Sequence, residues 1–256
     1  MAAPENTFKT RLLAGETLYG CWLGLGDAYA AEVMGTAGFD WLVIDGEHAP
    51  NDIRSLRDQL MALEASESHP VVRLPIGATW MLKQVLDIGA QTVLVPMVES
   101  AEQAKDLVRA VRYPPEGVRG VGASLGRATR FASVPDYVET ADAQICLLVQ
   151  VESRAGVAAL DGILQVDGVD GVFIGPADLA ADMGHGGDSG AEEVQETIRD
   201  ALGRIAAAGK APGILSVQRD VAERYRDWGA RFLAVGVDVL MLAGQARAEA
   251  ASWRQE

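Results

Sequence analysis

Four short stretches place charged groups where apolar runs end, and the side-chain types define a chemistry. VIDGEHAP (43–50) follows two β-branched residues with Asp45, Glu47 and His48. VVRLP (71–75) carries Arg73 inside an apolar segment, QVES (150–153) supplies Gln150 and Glu152, and VFIGPADL (172–179) supplies Asp178. Carboxylates at the ends of neighbouring strands, about 4.8 Å apart, can share one divalent cation. An oxygen-only donor set favours Mg²⁺ or Mn²⁺ over Zn²⁺ and leaves positions for water and a chelating substrate. Read singly, Glu152 and Asp178 are equally ordinary first-turn carboxylates of helices.

A buried guanidinium needs a partner. Arg73 therefore reads either as a structural ion pair with Asp45 or Glu47, or as a two-pronged donor to a carboxylate or developing oxyanion. His48, with a reference pKa near neutrality, is a candidate general base. Asp87, in VLDIGA, is a possible partner for it, although spacing alone makes Asp87 a helix-end residue. Trp22 stands near the end of the first strand. His69 reads as a solvated residue at the opposite end, and His185, in a glycine-rich loop, receives no role. A Schiff-base mechanism needs a buried lysine at a strand end. Lys9, Lys83 and Lys105 fall on helix-like segments and Lys210 precedes a strand, so that chemistry is disfavoured. No serine or cysteine nucleophile stands beside His48.

These residues must be positioned by a repeating frame. Apolar runs at 18–25, 41–45, 71–75, 92–98, 145–152, 171–175, 211–216 and 232–238 alternate with amphipathic stretches at 27–37, 51–65, 79–88, 100–112, 153–164, 192–208, 218–228 and 239–252. Strands this rich in Val, Ile and Leu suit a parallel sheet covered by helices. Eight such units predict an α/β fold, a (β/α)8 TIM barrel forming a single domain over residues 1–256, with its chemistry at the strand C-termini. A doubly wound sheet would carry a fuller glycine motif than the GxG of LGLGDAYA. Asn51 or Asp52 can cap the second helix and Ser100 the fourth; Pro114-Pro115 ends the fourth and Gly229 follows the seventh. Residues 113–135 form one long irregular stretch and 183–193 a glycine-rich loop.

Composition narrows the partners. The 256 residues are 49% hydrophobic and carry a formal net charge of −14. Without a dense basic patch, nucleic acid is excluded as a partner, and so is an anionic membrane surface. Cys21 and Cys146 lie in apolar runs and read as buried reduced thiols. The N-terminus lacks a signal-peptide core and no apolar run has membrane-span length. The expectation is a soluble cytoplasmic protein.

WLVIDGEHAPND, PVVRLP, TVLVPMVESAEQA, RYPPEGVRGVG, LLVQVESRAGV, VDGVFIGPADLAADMG, GKAPGILS and FLAVGVD together resemble the HpcH/HpaI family of class II, metal-dependent pyruvate aldolases, in the family's order from about residue 18 to about residue 238. The resemblance implies reversible aldol cleavage of 4-hydroxy-2-oxo acids, as in aromatic-compound catabolism, giving pyruvate or a related 2-oxo acid such as hydroxypyruvate plus an aldehyde. It implies His48 as base, Arg73 as stabiliser of the enolate and polariser of the aldehyde oxygen, and Asp87 as support for the histidine's basicity. It implies Glu152 and Asp178 as ligands of Mg²⁺, Mn²⁺ or Co²⁺, and Gln150 and the Ala177 backbone as contacts of the 2-oxo acid. Trp22 and Leu215 would shape the pocket, and Asp45 and Glu47 would order the metal's waters. It also implies a homohexamer, a trimer of dimers, whose last helix is exchanged between subunits. An acyl-CoA lyase of the same barrel type is the alternative; it would need basic groups for CoA phosphates, for which only Arg119, Arg127 and Arg130 of the long loop offer themselves, and these could instead recognise a distal carboxylate. A non-catalytic keto-acid-binding relative is the other.

Overall fold

The computed structural model describes residues 1–254. Eight parallel strands close into a barrel in sequence order: β1 (Leu18–Leu23), β2 (Trp41–Asp45), β3 (His69–Arg73), β4 (Thr92–Val95), β5 (Cys146–Val151), β6 (Gly171–Ile174), β7 (Ala211–Leu215) and β8 (Phe232–Val237). Eight helices follow the strands: α2 (Ala28–Gly35), α3 (Ile53–Ala62), α4 (Thr79–Asp87), α5 (Ala101–Val111), α7 (Arg154–Leu164), α9 (Glu192–Ala207), α10 (Arg219–Asp227) and α11 (Asp238–Ser252). This is the expected architecture. Asp52 caps α3, Ser100 caps α5, and Gly229 follows α10 with φ +111°.

Three short helices escape the hydrophobic pattern: α1 (Thr7–Leu13), α6 (Tyr137–Thr140) and α8 (Pro176–Asp182). None is longer than seven residues, too short for a helical period to declare itself. α1 lies across the foot of the barrel and buries Phe8 and Leu12. Asn6, fully buried, caps it and donates to Thr92 Oγ1 at 3.0 Å and the Gln144 carbonyl at 3.0 Å.

The core has two layers. One lies between sheet and helices and is aliphatic, with Ile44, Val72, Val93, Ile174 and Leu233 of the strands facing α-helical leucines. The other fills the barrel and is aromatic: Trp22, Trp41, Phe173, Phe232 and Phe8. Glycine makes room for it. A Cβ at Gly20 would overlap the Trp41 ring, and one at Gly213 would stand 2.7 Å from both Phe173 and Phe232. Trp41, wholly buried, still satisfies its indole N–H on the Leu18 carbonyl at 3.0 Å. Burying each such ring contributes about 3 kcal/mol. This packed floor closes the barrel interior beneath the strand C-termini.

His69 corrects its expected setting. It opens β3 and points into the foot, stacked on Phe8 at 5.0 Å with Nε2 2.8 Å from Thr92 Oγ1. It is partly buried rather than freely solvated, and desolvation lowers its pKa to about 4. Cys21 and Cys146 are buried free thiols, as expected.

Candidate active site

The ends of β2 and β3 are locked together by charge. In register Asp45 faces Arg73. Arg73 donates from Nε to Asp45 Oδ1 at 2.9 Å and from Nη2 to Oδ2 at 2.6 Å, while Nη1 stands 2.8 Å from Glu47 Oε2. Trp22 of β1 lies 5.2 Å from the guanidinium carbon and rests on Phe173. The ion pair anticipated as one reading of Arg73 is therefore formed. Of its five N–H groups two are hydrogen-bonded to Asp45, and the contact with Glu47 is an ion pair in which Glu47 Oε2 has no hydrogen-bond partner, so N–H groups remain for a substrate oxygen.

The turn after β2 is built on the same carboxylate. Asp45 Oδ1 also accepts from the Glu47 N–H at 2.9 Å and the His48 N–H at 3.3 Å, and Asn51 donates to the Asp45 carbonyl at 2.7 Å. Gly46 is required because a Cβ would stand 2.6 Å from the Arg73 carbonyl. Burial alone would raise the Asp45 carboxyl, but the hydrogen bonds and charge of Arg73, with the two amides, outweigh it and hold it below the usual carboxylate range. For Glu47 burial prevails, with help from the charge of Glu152 and against that of Arg73, and its carboxyl is raised. His48 presents its ring to solvent, 69% exposed, with Nε2 3.8 Å from Glu47 Oε2.

Across the mouth β5 delivers Gln150 and Glu152, both buried. The Glu152 side chain is held at both oxygens: Oε1 accepts from the Met97 N–H at 2.9 Å and Oε2 from Gln150 Nε2. A Cβ at Gly175 would overlap Oε2, so glycine is obligatory there. Burial raises the Glu152 carboxyl; Gln150 and Met97 oppose this and the charge of Asp178, which opens α8, adds to it. Gln150 Oε1 is buried without a hydrogen-bond partner. Ala177 also lies in the first turn of α8, which no side chain caps. Leu215 ends β7, packed against the same aromatic floor as Trp22.

Among the described residues no group of three His, Cys, Asp or Glu side chains gathers as a metal cage. The candidate donors are two carboxylates, Glu152 and Asp178, near enough that the charge of Asp178 acts on Glu152. A buried carboxylate raised by its desolvation and by a neighbouring carboxylate's charge is a hard-oxygen arrangement that could take a divalent cation, with water and substrate as further ligands.

The structure does not bring Asp87 to His48 within the chain. Asp87 is the last residue of α4, which runs from the mouth back to the foot, and it accepts from Arg119 Nη2 at 2.9 Å. Arg119 is fully buried against Tyr113 at 4.5 Å. Arg127 donates to the Ile88 carbonyl at 3.3 Å and to Glu64 at 2.6 Å, and Arg130 stands 3.6 Å from Glu64. The three arginines that sequence reasoning set beside a CoA phosphate or distal carboxylate thus lie at the foot of this barrel. There Arg127 and Arg130 line a cavity of about 430 Å³ with Glu64 and His69. Both arginines there pair with Glu64.

Two contributors escaped sequence reasoning. β4 supplies no charged side chain; what the turn after it supplies is the main-chain N–H of Met97. Gly175 acts by having no side chain. Residue type signals neither, apart from the glycine-proline pair after β6.

Residues 18–244 match the HpcH/HpaI aldolase/citrate lyase family. The chain is 65% identical over the full length of both chains to hydroxypyruvate/pyruvate aldolase of Roseovarius nubinhibens. It is 55% identical, over 96% of this chain and 93% of the relative, to 4-hydroxy-2-oxo-heptane-1,7-dioate aldolase of Klebsiella pneumoniae. A crystal structure of an HpcH/HpaI aldolase/citrate lyase family protein from Burkholderia cenocepacia superposes with a TM-score of 0.94 at 42% identity, covering 98% of this chain and 100% of that one. The chain belongs to this family.

Proposed function

We propose that this member of the HpcH/HpaI aldolase/citrate lyase family is a class II pyruvate aldolase. It cleaves and forms 4-hydroxy-2-oxo acids, with pyruvate or hydroxypyruvate as the 2-oxo acid partner and an aldehyde as the other. The observation that carries the reading is the mouth itself, where Arg73, clamped by Asp45 and Glu47, faces a buried Glu152 that feels the charge of Asp178. The relatives named as aldolases support it.

Glu152 and Asp178 would hold a divalent cation, Mg²⁺, Mn²⁺ or Co²⁺, which when bound would supply Lewis-acid charge to the 2-oxo acid. Gln150, through the second N–H of its Nε2, and the Ala177 backbone seat the 2-oxo acid. His48 removes a proton from the carbon next to the ketone, directly or through a water. The resulting enolate carbon attacks the aldehyde carbon, the N–H groups of Arg73 not engaged by Asp45 meet the oxyanion that forms, and the proton held by His48 is delivered to that oxygen, directly or through a water, to give the hydroxyl. Trp22 and Leu215 bound the aldehyde side, and Asp45 and Glu47 would order water beside a bound ion. Cleavage runs the same steps backwards. Asp87 has no access to His48 of its own chain, so its support of the base requires His48 of a second copy. That fits a homohexamer assembled as a trimer of dimers. We place the enzyme in the cytoplasm. The foot position of Arg119, Arg127 and Arg130 argues against the acyl-CoA lyase alternative.

Proton NMR of pyruvate in D₂O tests the reading. Loss of the methyl signal with protein plus Mg²⁺ or Mn²⁺, abolished by EDTA, is the expected result. Exchange that persists after thorough metal stripping contradicts the ion's role. No exchange with any metal, for pyruvate or hydroxypyruvate, leaves a keto-acid-binding relative without turnover.

A further inference from the structure

We propose that Gln103, on the outer helix α5, is a positioning residue for the Glu152 carboxylate, acting through the backbone of Met97. The inference rests on the reading of Glu152 as a metal ligand. Met97 has φ +54°, a left-handed conformation that side chains other than glycine rarely adopt. Its side chain is half exposed, so packing does not impose this conformation. Hydrogen bonds do. Gln103 Nε2 donates to the Met97 carbonyl at 3.1 Å, and Gln103 Oε1 accepts from the Glu99 N–H at 2.9 Å. One side-chain amide thus fixes the chain on both sides of Val98, whose own N–H donates to the Gln150 carbonyl at 3.0 Å.

Gln103 is itself fixed. Its backbone N–H donates to Ser100 Oγ, the cap of α5, at 3.1 Å. The sequence SAEQ has the spacing of a capping box, in which the fourth residue's amide turns back on the helix start; here it reaches one residue further, to Glu99. The outcome of the strained turn is that the Met97 N–H meets Glu152 Oε1 at 2.9 Å. A second tie closes the loop: Ser153, next to Glu152, donates to Glu99 Oε1 at 2.5 Å. Without the Gln103 amide, Met97 relaxes to negative φ, its N–H turns away, and the carboxylate loses the donor that orients it. Groups that orient a ligating carboxylate tune the metal.

The test is a Mn²⁺ titration of the full chain by calorimetry or EPR, alongside kcat/KM and thermal melting. Gln103→Leu is expected to bind Mn²⁺ about tenfold more weakly, with kcat/KM falling in parallel. Adding Met97→Gly recovers part of the loss, because glycine takes φ +54° without strain; damage to α5 alone would not be rescued this way. Gln103→Glu keeps the acceptor for Glu99, loses the donor to Met97 and shows a similar deficit, and it serves should the leucine variant fail to fold. Unchanged Mn²⁺ affinity in Gln103→Leu, or a loss that Met97→Gly leaves untouched, overturns the proposal. Glu152→Gln separates the two levels. If it binds Mn²⁺ like the wild type, Glu152 is no ligand and both readings fall; if it loses binding while Gln103→Leu does not, only the brace falls.

Discussion

At the scale of single residues the site is governed by how its charges are shared. Arg73 serves Asp45 with two parallel hydrogen bonds and Glu47 with a third contact, and only a planar guanidinium can do this while keeping N–H groups for substrate. Arg73→Lys keeps the charge and loses the geometry. We expect turnover of a 4-hydroxy-2-oxo acid to fall by about 10² to 10³, the cost of losing an oxyanion donor. Steady-state cleavage assays measure this, and near-wild-type turnover would remove Arg73 from the chemistry. Much of this was legible in the sequence, because an arginine inside VVRLP and two acids after VVRLP's neighbouring strand have few physical explanations. Asp87 was legible only as a helix end, which is where it lies. The left-handed turn at Met97 was not legible, since methionine carries no preference for it and the hydrogen bonds that impose it come from α5.

At the scale of elements, strand and helix bounds followed from apolar periodicity, and all eight β-α units stand where the pattern put them. The foot did not follow. α1 is seven residues long and its purpose, sealing the barrel over Phe8, Leu12 and His69, appears only in three dimensions. That seal has a pH signature. The His69 pKa falls from 6.5 to about 4 on burial. A histidine lowered in the folded state contributes stability that is fully present above its unfolded pKa and is lost as pH falls towards the folded one. Between pH 6.5 and 4 the wild type should therefore lose up to about 1.4 kcal/mol per pH unit from this residue. His69→Phe keeps the stack on Phe8, gives up the Thr92 hydrogen bond and has nothing to titrate. Urea unfolding at pH 7.5, 6 and 5 should show a shallower decline for the variant; parallel declines would mean that acid sensitivity arises elsewhere.

At the scale of the whole molecule the barrel leaves one helix unfinished. α11 carries Val239, Leu240, Met241 and Leu242 in succession, 40–60% exposed, and among its described residues only Asp238 is buried. Asp238 ties the helix start to the mouth by accepting from Gly24 at 2.7 Å and Leu25 at 3.2 Å. Beyond that anchor the apolar surface is large enough to call for a covering partner. The proposed homohexamer would cover it, and its interface is where one copy's Asp87 would have to approach another's His48. A net charge of −14 makes copies repel, so contact must be dominated by apolar burial. Light scattering on the wild type should give a mass near that of six 27.1 kDa chains. Leu240→Glu combined with Leu242→Glu should yield a smaller species whose barrel still melts cooperatively, with aldol activity falling as assembly is lost. A wild-type monomer with full turnover would refute the exchange of α11 and leave His48 without the aid of Asp87. A dissociated variant that stays fully active would spare the interface but strip it of any part in the chemistry.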